Sequence, residues 1–124
     1  MTWMEAYWRW RPLLVEALDE RYFNGEWLDA QVMSGRAVFI YADDSALVAE
    51  MRFYPTGARD VFIYCVAGAA SAVRDILGPR LETWGRSNGC LAILGESRSG
   101  WTKILKTAGY ELYKTAVRKA LADG

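Results

Sequence analysis

The sequence predicts an α+β domain: a mixed sheet with helices on both faces, in the order α-α-β-β-β-α-β-α-β. Three observations predict it. Two segments of helical periodicity precede any strand-like one. Three strand-like segments then follow one another across tight turns. From Ala69 onward the apolar spacing reverts to a helical period. A chain of 124 residues suits a single domain spanning 1–124, and a hydrophobic share of 52% supports a genuine core.

The elements can be justified in order. Residues 4–20 carry Leu14, Val15 and Leu18 on one stripe, with Trp8 and Trp10 upstream. Pro12 has no N–H to donate, so the main helix is expected to start there. A second helix fits residues 26–33, between Asn24-Gly25 and Ser34-Gly35, with Trp27, Leu28 and Gln31 on one face. Residues 36–42 are β-branched and aromatic, and Asp43-Asp44 makes a turn. Residues 45–53 alternate, with Leu47, Ala49 and Met51 on one face and Ala46, Val48 and Glu50 on the other. After Pro55-Thr56-Gly57, residues 59–66 are almost continuously apolar, as a strand covered on both faces should be. Residues 69–88 are helical in period, and Gly78-Pro79 is expected to kink or divide that helix. Gly89 stops it, 90–94 form a short buried strand, and 101–108 a helix that Ser99 caps and Gly109 ends. Residues 110–120 are expected to return as the last strand, with a helical finish as the alternative for its KTAVRKALA end.

Composition narrows the function. Fifteen acidic and fifteen basic residues cancel, so no overall field recruits nucleic acid or an anionic membrane. No apolar run approaches the ~20 residues of a membrane helix, and no secretory signal is evident. With no histidine and no CxxC, ordinary zinc sites and Ser-His or Cys-His nucleophile pairs are excluded. Asp43-Asp44 reads as a turn rather than a metal site. Cys65 and Cys90 read as reduced core thiols, with a single disulfide as the alternative. Trp3, Tyr7, Trp8 and Trp10 form either a cap on the core or an exposed aromatic patch that docks on another subunit. Arg98, Lys103 and Lys106 beside Trp101 read as a solvated helix face before a phosphate contact.

Trp84-Gly85-Arg86 followed by Gly89-Cys90, and Gly109-Tyr110 after the last helix, resemble the end of the central helix and the entry to the last strand in the GNAT superfamily of N-acetyltransferases. Arg98-Ser99-Gly100-Trp101, with Leu105 and Gly109-Tyr110, resembles the signature of small GNAT-like proteins of bacteriophages and prophages. The resemblance implies an acetyl-CoA site whose diphosphate sits on a glycine-rich loop at a helix N-terminus. The matching stretch here is Gly68, Ala69, Ala70, Ser71, Ala72, Val73 and Arg74, with one glycine, so methyl groups are expected to crowd the bend while Arg74 remains able to meet a phosphate. The tyrosine that many active relatives use to protonate the departing thiolate falls at Leu105. Glu50 and Glu96 are the candidate general bases, each with a solvated carboxylate as the alternative.

The expected function is therefore a non-catalytic virion structural or assembly component of phage or prophage origin, without cofactor. It would sit in the virion or host cytoplasm, contacting other virion proteins or itself through Trp3, Trp8, Trp10, Arg98 and Trp101. The alternative is an acetyl-CoA-dependent N-acetyltransferase acting on a small amine or a protein.

Overall fold

A computed structural model describes residues 1–96 and 99–122 of the chain. Helix α1 (Trp3–Glu16) begins where the Thr2 hydroxyl accepts from the Glu5 amide at 3.2 Å. The helix runs through Pro12 rather than starting there. The cap at Thr2 and the burial of Ala6 and Tyr7 fix the earlier start, and the proline removes only one hydrogen bond from the ladder. Helix α2 (Gly25–Met33) starts where the Asn24 side chain accepts from the Trp27 amide at 2.9 Å. A polar staple joins the two helices. The Tyr7 hydroxyl and the Arg11 Nε both donate to Asp29 Oδ1 at 2.7 Å, and an Arg11 terminal nitrogen reaches Oδ2 at 3.0 Å.

Strands β1 (Ala37–Tyr41), β2 (Ser45–Phe53) and β3 (Arg59–Gly68) form an antiparallel meander, and β4 (Ile93–Gly95) adds parallel to β3, in the order β1-β2-β3-β4. The alternation of β2 sorts its residues as the sequence requires. Ala46 and Val48 pack with Cys65 under Tyr7, Leu14, Leu28 and Val32 of the first two helices. Leu47, Ala49 and Val61 pack on the opposite face under Val73, Leu77 and Leu81. Helices therefore cover both faces.

The second covering helix is composite: α3 (Ala70–Ala72), a π-helical turn (Val73–Leu77) and α4 (Gly78–Ser87) run on without a break. The Gly78 amide donates to the Val73 carbonyl, five residues back. That wider turn absorbs Pro79, which an unbroken α-helix would leave with an unpaired carbonyl and a ring clash. Helix α5 (Ser99–Lys106) ends at Gly109, whose φ of +90° is the left-handed stop its sequence position predicts.

The expected last strand is not formed. Residues 111–120 have no regular secondary structure and are exposed. The edge available to them, β4, is three residues long, and so short an edge offers too few ladder bonds to offset ordering a ten-residue segment at about 1–2 kcal/mol per residue. The segment instead crosses toward the link between α1 and α2, where the Arg118 Nε donates to the Tyr22 hydroxyl at 2.6 Å.

Candidate functional site

Parallel pairing between β3 and β4 stops at Ile63 opposite Gly95. Beyond it β3 runs on to Gly68 with β2 as its one strand partner among the described residues, so the sheet is split there. A cleft of about 370 Å³ occupies the split. It reaches from Leu13, Glu16 and Ala17 of α1 on one face to Arg74, Leu81 and Glu82 on the other, with Trp101, Leu105 and Tyr110 closing the β4 side. The edge of β3 from Tyr64 to Gly68 thus presents backbone groups that have no strand partner among the described residues, along an otherwise largely apolar slot.

A β-bulge sets the side chains at the split. Val48 pairs with Cys65 and Ala49 with Ile63, leaving Tyr64 as the extra residue. Tyr64 lines the cleft, and its ring is held edge-on by Trp27 at 4.9 Å and Phe23 at 5.9 Å. Its hydroxyl donates to Glu50 Oε1. Burial, then the bond to Glu50, pushes the Tyr64 hydroxyl up to about 12, so it keeps its proton at neutral pH. Cys65, also on the cleft, is buried, and burial pushes its thiol up to about 12 as well, which leaves it unreactive at neutral pH. Both cysteines are free thiols.

The candidate bases separate. Glu50 is no edge carboxylate: β2 is paired on both sides, and the side chain is half-buried with Tyr64 and Arg52 as partners. It stands one side chain from the cleft. Glu96, directly after β4, lines the cleft and is exposed. Tyr110 also lines it, and burial raises its pKa, with Glu82 adding to the shift. Neither Tyr64 nor Tyr110 occupies the position that the sequence motif marks, Leu105, although that residue forms part of the same wall.

At the far end, Gly68 is held at φ +100° against the Asp44 carbonyl, where a β-carbon would stand 2.1 Å from the oxygen. The Ala69 amide donates to that same carbonyl at 2.9 Å. Val73 is the first residue to return a helical bond, to Ala69, so the amides of Ala70, Ser71 and Ala72 have no backbone partner among the described residues, and no side chain caps them. The expected crowding is only partial: Ala72 is buried in the core, while Ala69 and Ser71 are exposed and Ala70 lies between. Arg74 lines the cleft and makes a two-pronged contact with its neighbour Asp75 at 2.7 and 3.0 Å. Ser45, paired with Gly68 beside this bend, is fully buried and its Oγ has no partner among the described residues.

The aromatic candidates also divide. Trp3 and Trp8 are about half exposed, Trp10 packs against the core below α1, and Trp101 packs against the opposite core and walls the cleft rather than facing a free surface. Lys103 and Lys106 are exposed, as a solvated helix face requires. Arg98 lies outside the described residues. Among those residues, no helix is long and apolar enough to cross a membrane, and no group of three or more Cys, Asp or Glu gathers as metal ligands.

No protein-family model and no curated protein matches the sequence. Solved structures do match the fold. An aminoglycoside N-acetyltransferase in complex with CoA superposes with a TM-score of 0.63 at 17% identity, over 99% of this chain and 97% of that one. A predicted acetyltransferase with acetyl-CoA from Clostridium acetobutylicum gives 0.61 at 11% identity, over 78% and 72%. An acetyltransferase of Trypanosoma brucei gives 0.60 at 16% identity, over 90% and 89%. The fold is thus that of the GNAT acetyltransferases.

Proposed function

We propose that this protein is an acetyl-CoA-dependent N-acetyltransferase acting on an amine. The observation that carries the reading is the cleft through the split between β3 and β4, open to both faces of the sheet. Its features fit a slender, amide-bearing ligand with an anionic end. The unpaired edge of Tyr64 to Gly68 would hydrogen-bond the amides of a pantetheine arm, and the amides of Ala70, Ser71 and Ala72 would hold a diphosphate at the positive end of the composite helix. Bound acetyl-CoA would supply an acetyl thioester, so that a C–N bond forms to the acceptor as the C–S bond breaks.

The chain's own residues would manage the protons. Glu50, held by Tyr64 and half-buried, accepts the proton that the amine nitrogen gives up. Tyr110 keeps its proton at neutral pH on the cleft wall, in reach of a departing thiolate, and takes the part that Leu105 has no group to play. Glu96, exposed at the rim, is the less suited base because no neighbouring side chain holds it in place among the described residues.

Thermal denaturation with acetyl-CoA tests the reading. At a hundredfold excess over Kd, binding to the folded state stabilises it by about 2.7 kcal/mol. No change in Tm at millimolar acetyl-CoA removes the proposal. Glu50→Gln should keep the shift while lowering acetyl transfer roughly 10²–10⁴-fold.

A second reading, a non-catalytic assembly component of a phage particle, is favoured by one observation: Trp3, Met4 and Trp8 stand exposed along α1. On that reading Trp8→Ala weakens self-association or co-purification with particle proteins and leaves acetyl-CoA without effect.

A further inference from the structure

Beside the cleft, on the face covered by α1 and α2, lie two opposite charges that general-base chemistry alone would not require. Glu50 and Arg52 are two residues apart on β2 and so share a face, with Phe62 and Tyr64 next to them on β3. Their mutual contact is poor: Arg52 Nε stands 3.5 Å from Glu50 Oε1, and that same oxygen already accepts from Tyr64. Glu50 Oε2 is therefore without a partner among the described residues. The two terminal nitrogens of Arg52 make no ion pair among the described residues, although the guanidinium also approaches the Tyr64 hydroxyl, and it lies 3.4 Å over the Phe62 ring. Asp60, opposite Arg52 in the ladder, makes no ion pair with it among the described residues. The contact with Phe62 holds the guanidinium carbon over the ring and leaves the terminal donors for a planar oxyanion.

We propose that Glu50 and Arg52 select a zwitterionic acceptor, an amine with a carboxylate on the adjacent carbon, as in a free α-amino acid. The inference rests on the transferase reading and adds the substrate class. The acceptor ammonium takes the open oxygen of Glu50, and its carboxylate takes the open fork of Arg52. Each partner replaces a 3.5 Å contact between half-exposed groups, which contributes little. The rings of Phe23, Trp27 and Tyr64, packed within 4.7–5.9 Å of one another, border the cationic end. A polycationic amine is disfavoured, since Arg52 repels every ammonium beyond the first.

The test compares each of two amino acids, leucine and phenylalanine, with the amine left when its carboxylate is removed. CoA thiol release is followed at saturating acetyl-CoA, and calorimetry measures acceptor binding in the presence of CoA. The expected result is a kcat/KM at least about tenfold higher for the amino acid than for its amine. Arg52→Gln should abolish that preference, lowering kcat/KM for the amino acid at least about tenfold more than for its amine. An acetyl-CoA thermal shift equal to the wild type's confirms that the variant is folded. Turnover of both members of each pair at equal efficiency, or an Arg52→Gln variant that lowers both alike, overturns the inference and leaves the transferase reading standing. No turnover together with no acetyl-CoA thermal shift sinks the transferase reading and this inference with it.

Discussion

Asp29 shows how much can depend on one carboxylate. Burial raises its pKa, but the bonds from Arg11 and Tyr7 outweigh that effect and hold it below the ordinary range. A carboxyl held low in the folded chain contributes stability that is complete above the unfolded value, about 3.9, and is lost as pH falls through the folded value. Urea denaturation at pH 7 and pH 3 should therefore show a stability loss on acidification that is smaller in Asp29→Asn. At neutral pH, Tyr7→Phe should cost roughly 1 kcal/mol and Asp29→Ala roughly 2, since the latter strands a buried hydroxyl as well as a guanidinium. The sequence marks Tyr7 only as part of an aromatic cluster and carries no sign of Arg11 or Asp29 as its partners, because residues 18 and 22 positions apart meet only once two helices pack. Glu50 was legible as a carboxylate on an alternating strand. Tyr64 was not, because the bulge that turns it toward Glu50 is a property of pairing with β2 and leaves no glycine or proline to announce itself.

Among the elements, both helices before the sheet, the three-strand meander and the helix after it were readable from period and turn residues. Pro12 departs from its sequence reading, because the cap at Thr2 starts the helix a turn and more earlier, whereas the kink or division expected at Gly78-Pro79 falls where a π-helical turn gives way to α4. The junction between β3 and the composite helix is the most sensitive element. Gly68→Ala should lower stability on the order of 3 kcal/mol, read as a fall in the urea midpoint, because it combines a left-handed backbone with a methyl driven into the Asp44 carbonyl. The same lone glycine that made the loop look poor in glycine is thus occupied with the turn itself, and the open amides belong to alanines and a serine.

For the whole molecule, the decisive feature is where two strands part company, and sequence periodicity carries no information on that. It reports which residues are apolar, and the residues on both sides of the split are apolar whether the sheet stays closed or opens. Chain order and the Gly-Tyr and Trp-Gly-Arg signatures were enough for the architecture, and they were silent on the cleft. They also suggested a last strand that the three-residue β4 edge does not support. That segment has a practical consequence. It carries Lys114, Arg118 and Lys119 on an exposed segment without regular secondary structure, the kind of site where proteases such as trypsin cut. Brief digestion should clip there before the helices and sheet are touched, giving a slightly shorter body and small peptides by mass spectrometry. If those lysine and arginine bonds resist cleavage in the intact protein, something in solution covers them.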